Sequence, residues 1–125
     1  MIPTAKSILL CDRCVSQADG KIDLLGAFNG IRPKSGYPHI HERFCVYAQL
    51  TDSLGDVPFF FDIRFLETDE LIWTTETRIL KFPDRMMIVH LACSIEGCRF
   101  EKPGLYVVEL FCDNQWVCDT RVMLR

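Results

Sequence analysis

Along most of the chain, apolar and polar side chains alternate with a period of two, the spacing of a half-buried β-strand. Phe59, Phe61, Ile63 and Phe65 alternate with Phe60, Asp62, Arg64 and Leu66. Phe44, Val46, Ala48 and Leu50 alternate likewise with Cys45, Tyr47, Gln49 and Thr51. Three more inward rows are expected: Met87, Val89, Leu91, Cys93 and Ile95; Tyr106, Val108, Leu110 and Cys112; and Trp116, Cys118, Val122 and Leu124. β-Branched and aromatic residues dominate these runs, as a pleated surface favours. No segment carries a helical pattern.

Turn signals separate the runs. Asp19-Gly20 lies between Leu9–Val15 and Ile22–Phe28 and predicts a hairpin. Asp52–Asp56 and Thr68–Glu70 link further runs, the second leading into Leu71–Leu80. Phe82-Pro83-Asp84 ends that segment, because proline cannot donate to a central ladder. Glu96–Gly104 and Asp113-Asn114 complete the set. About eight strands with short connections predict an all-β antiparallel two-sheet β-sandwich, Ig-like or C2-like, in one domain over 1–125. A closed barrel is the alternative. Between Gly30 and Arg43, with Pro33, Gly36 and Pro38, a long irregular link is expected, and such links often carry function.

Composition narrows the class. A chain of 125 residues buries about two thirds of its unfolded surface and needs no covalent staple. The net charge of −3 is spread evenly, with six basic and seven acidic side chains in residues 1–62 and eight and ten in residues 63–125. No basic stripe is present to neutralise phosphates, so neither nucleic acid nor an anionic membrane is an expected partner. No apolar run reaches the roughly 18 residues of a membrane helix. The apolar stretch before Cys11 is too short for a secretion signal, and a cytoplasmic location is expected. Seven cysteines, an odd number set mostly in apolar runs, read as reduced and buried.

His39, His41 and Glu42 are the metal candidates. In an extended segment, residues two apart share a side, so both imidazoles can reach one divalent transition metal with Glu42 adding an oxygen. A third protein ligand would come from elsewhere, His90 being available. Two polar side chains on an exposed loop are the plain alternative. Cys11 and Cys14 have CxxC spacing, but residues three apart in a regular strand face opposite sides and cannot clamp one ion without a bulge or turn. Cys112 and Cys118 are expected to face inward on neighbouring strands. Asp12, inside an apolar run, marks a strand end, a bulge or a buried carboxylate. The chain has no Gly-x-Ser-x-Gly elbow and no Gly-Lys-Ser/Thr phosphate loop. No catalytic residue and no cofactor are therefore expected, and the chain reads as a non-enzyme.

Surface aromatics give the remaining signal. Phe60 shares the outer parity of Asp62 and Arg64, and Tyr37, Tyr47 and Trp73 are expected outside the main core. An exposed aromatic cluster marks a protein contact, so Tyr37, Phe60 and Trp73 are the expected partner residues.

Leu9-Leu10-Cys11-Asp12, Gly20-Lys21, Leu24-Leu25-Gly26-Ala27-Phe28, Tyr47-Ala48-Gln49-Leu50-Thr51-Asp52 and Pro103-Gly104-Leu105-Tyr106 with Glu109-Leu110 carry a family likeness. Together they resemble a bacterial domain-of-unknown-function family of short β-sandwich proteins, over nearly the whole chain. The resemblance implies the all-β fold and an intracellular bacterial setting, and supplies no catalytic residues. The expected function is a non-enzymatic binding or accessory module acting through a sheet face or the 30–43 link. Its expected partner is another protein or a second copy in a homodimer. A metal- or small-ligand-binding protein using His39 and His41 is the alternative.

Overall fold

Ten strands and no helix build the computed structural model, which describes residues 1–125. They are β1 (Thr4–Ser16), β2 (Ile22–Phe28), β3 (Gly30–Ile31), β4 (His39–Thr51) and β5 (Gly55–Phe65), then β6 (Glu70–Thr74), β7 (Arg78–Phe82), β8 (Val89–Phe100), β9 (Gly104–Cys112) and β10 (Gln115–Leu124). One sheet has the order β2-β1-β4-β8; the other runs β3-β10-β9-β5-β6, with β7 also paired to β5. Every pairing is antiparallel except the two-residue β3 beside β10. The two additional strands have simple origins. β3 is a short graft onto the sheet edge, and the expected 71–80 run splits into β6 and β7 along one flank of β5. No helix is long and apolar enough to cross a membrane.

The inward rows meet between the sheets as the alternation requires. Phe44, Val46, Ala48, Leu91 and Ile95 from one sheet pack with Phe61, Ile63, Tyr106, Val108 and Leu110 from the other in a cluster of 23 buried residues. Burying each large side chain stabilises the fold by about 1.5–3 kcal/mol. Tyr106 keeps its hydroxyl satisfied by donating to the Lys102 carbonyl at 2.7 Å, a tyrosine corner of the kind seen in immunoglobulin-like sandwiches. Asp113 and Asn114 both take positive φ, at 52° and 61°, so the last hairpin turns with the twist of its strands.

The structure corrects two expectations here. The Gly30–Arg43 link shrinks to residues 32–38, because β3 occupies Gly30–Ile31 and β4 already pairs with β8 from His39 onward. Met87 precedes β8 and is largely exposed rather than inward.

Strand regularity breaks at several places, including Ala5/Ser7 on β1 and Ile63/Arg64 where β5 meets β6. On β1 and β2, Asp12 and Gly26 drop out of a ladder that is regular on either side of them. Gly26 has φ +69°, and a Cβ there would lie 2.2 Å from Asp12 Oδ2, so the aspartate side chain folds across a position that only glycine can occupy. Glu42 and Gly97, the latter at φ +72°, interrupt the β4–β8 ladder in the same manner. Between Trp116 and Cys118 the β10–β9 register shifts by a bulge.

Candidate functional site

Two outer faces and one open end carry the side chains of interest. On the six-stranded sheet, Phe60 pairs with Phe111 across β5 and β9, and Phe111 pairs with Trp116 across β9 and β10. The Phe60 and Phe111 rings stack at 5.1 Å with planes 7° apart. The bulge after Trp116 turns that indole outward, where it is 54% exposed. Trp116 is thus not in the inward row expected for it. Pro58 and Ile79, partners across β5 and β7, extend the strip. Phe60 lies on this outer face, as its parity required.

Tyr37 and Trp73 do not join it. Both are half-buried against the core. Trp73 pairs with inward-facing Ile63 and so turns inward with it, and the Tyr37 hydroxyl donates to the Arg125 carbonyl at 2.9 Å. The outer aromatic row is therefore centred on Phe60, Phe111 and Trp116.

Beside the strip sits a charged group. Arg64 Nε lies 3.2 Å from Glu109 Oε1, and its Nη2 lies 3.6 Å from Asp62 Oδ2. Asp62 is 7% exposed, and its Oδ1 is buried with no hydrogen-bond partner. A buried acceptor without a donor is costly. Burial pushes the Glu109 carboxyl above its ordinary value, and Arg64 pulls it partly back.

The outer face of the four-stranded sheet holds a thiol cluster. Cys11 and Cys45 are register partners on β1 and β4. The defect at Asp12 and Gly26 then brings Cys14 round to their side. Cys14 Sγ lies 2.7 Å from Cys45 Sγ and 3.4 Å from Cys11 Sγ. Regular alternation separates Cys11 from Cys14; the conditional bulge or turn is what this strand contains. Cys112, by contrast, lies in the core and Cys118 packs half-buried against it. Burial raises Cys11 and Cys14 to about 11 and pushes Cys45 up as well, so these thiols are poor nucleophiles near neutral pH. Further along the same face, the Tyr47 hydroxyl and His90 Nδ1 share a short hydrogen bond.

At the open end, His39 Nε2 and His41 Nδ1 lie 3.0 Å apart in a mutual hydrogen bond. Both rings are half-buried, with His39 stacked on Phe100. Glu42 is exposed and belongs to the opposite parity. His90 pairs with Gln49 while His39 pairs with Phe100, ten residues and roughly 30 Å further along β8. The structure therefore does not bring His90 to the pair. Asp12 lines the same shallow cleft as His41. Burial, reinforced by the His39 charge, lowers the His41 pKa, with Asp12 opposing.

No curated protein matches this chain. Among solved structures, it is similar in fold to the immunoglobulin-like protein PA1606 of Pseudomonas aeruginosa, with TM-score 0.50 and 9% identity over 100% of this chain and 98% of that one. It also aligns with Pseudomonas fluorescens alkylpurine DNA glycosylase AlkC bound to DNA containing an abasic site analogue, at TM-score 0.49 and 14% identity. That alignment covers 78% of this chain, which spans 27% of AlkC's length. The likeness to PA1606 is one of fold alone. Family membership is more direct: residues 6–124 match the model of DUF6941, a family of unknown function, and the chain belongs to that family.

Proposed function

We propose that this chain is a non-enzymatic binding module that engages a protein partner through the outer face of its six-stranded sheet. The observation that carries the reading is the row of Phe60, Phe111 and Trp116 across three adjacent strands. Large aromatics on a rigid sheet give contact area at low entropic cost and recur as interface anchors. The face suits a partner that presents an apolar anchor beside a polar group able to pair with the half-buried Arg64 and Glu109. Neither nucleic acid nor a membrane surface fits a face where Asp62 and Glu109 flank Arg64. A second copy of the chain is the alternative occupant.

Sedimentation equilibrium and affinity capture from the native host test the reading together. Phe60→Asp and Trp116→Ser should abolish the captured partner, or halve the sedimenting mass if the partner is a second copy. Ile40→Asp, at the opposite end of the fold, should change neither. Equal behaviour of all three variants and the wild type would retire this face as an interface.

A further inference from the structure

We propose that Cys11, Cys14 and Cys45 form a binding site for a thiophilic metal ion, zinc(II) or copper(I). Their three Sγ atoms all lie within 4.8 Å of one another. The placement is unusual for thiols that serve only as small hydrophobes. Cys93, Cys98 and Cys112 fill the core between the sheets, whereas Cys11 and Cys45 are buried outside it, at 0% and 4% exposure, on an outer sheet face. Packing alone gives no reason to gather three sulfurs there. The backbone arrangement that gathers them is specific, since it needs the Cys11–Cys45 register and the glycine at position 26.

The donor set decides the class of ion. Soft thiolates select zinc and copper(I), whereas magnesium, calcium and manganese prefer oxygen ligands. Zinc–sulfur bonds of about 2.3 Å place tetrahedral thiolates roughly 3.8 Å apart. The Cys11–Cys14 separation is close to that, and the Cys14–Cys45 pair must open by about 1 Å, within reach of a side-chain rotation. Cys14 is half-buried and lines a cleft with Arg13, Arg43 and Ser94, which gives the ion its entry. Three thiolates complete a trigonal copper(I) site, while zinc keeps a fourth position facing that cleft. Each thiol that ligates releases its proton to solvent as its sulfur–metal bond forms. The metal keeps its oxidation state.

The test uses the reduced full chain without oxygen, titrated separately with Zn²⁺ and with Cu⁺ against chromophoric chelators. One ion per chain is expected for at least one metal, with sulfur-to-metal charge-transfer absorbance when Cd²⁺ replaces Zn²⁺. Cys14→Ser should weaken binding by more than the roughly 10–100-fold that losing an outer hydrogen-bond partner of a ligand costs. Cys14→His, which restores a donor, should recover part of it if the serine variant is compromised in folding. Cys118→Ser and the double variant His39→Ala/His41→Ala should bind as the wild type does. No uptake of either ion, or equal uptake by Cys14→Ser, overturns the proposal. So does a chain isolated under native reducing conditions that is lighter by two hydrogens and lacks the Cys14 and Cys45 thiols.

Discussion

The two outer faces of this sandwich are built by the same alternation yet collect opposite chemistries. The six-stranded sheet shows rings to solvent, with Phe60 and Phe111 stacked and Trp116 exposed. The four-stranded sheet hides soft and polar groups, with Cys11, Cys45 and Tyr47 all buried although they lie outside the main core. Each face owes its character to a local failure of strand regularity. A bulge turns Trp116 out, and the break at Asp12 and Gly26 turns Cys14 toward Cys45. Defects of this kind re-aim side chains and end pairing, and they concentrate where a surface does something beyond closing a sheet.

The largest test of that contrast is the glycine. Gly26→Ala should destabilise the fold by about 1–3 kcal/mol, the cost of a left-handed non-glycine residue, with the Asp12 clash added to it. In an Asp12→Ala background the penalty should shrink, because the atom 2.2 Å from the new Cβ is then gone. Chemical denaturation of the four proteins closes the cycle, and strictly additive losses would show that Asp12 does not cover Gly26. On the opposite face, a Phe60→Ala/Phe111→Ala cycle should report about 0.5–1.5 kcal/mol of coupling for stacked rings. A value near zero would mean that the Phe60 and Phe111 rings do not couple in the isolated fold.

Smaller and opposite in sign are the pH effects. The unfolded chain protonates His41 near the ordinary 6.5, while the folded chain resists it. Stability at that end should therefore fall as pH drops below 6.5, and His41→Gln should flatten the decline. Glu109 behaves the other way. The folded chain holds its proton to a higher pH than the ordinary 4.5, so stability should fall as pH rises above 4.5 through that interval, and Glu109→Gln should remove this slope. Thermal melts across the acid range separate the two, and slopes unchanged by either variant would contradict the assigned environments.

Period-two alternation and turn residues by themselves determined the all-β class, the two-layer architecture and most of the core. They also placed Phe60 outside, and the motifs spread along the chain pointed to a family of unknown function, to which the DUF6941 match assigns it. The inward placement of Trp116 rested on unbroken parity and failed at a bulge, Trp73 turns inward beside Ile63 although it was expected outside the core, and the bulge or turn on which a meeting of Cys11 and Cys14 depended is present. Only the tertiary structure decided those positions, because a bulge or a left-handed glycine is stabilised by the strand opposite. Cys14 and Cys45 stand 31 residues apart and meet through pairing that no local pattern encodes. Side-chain parity is a property of one strand, whereas the sites of this protein are properties of ladders between strands.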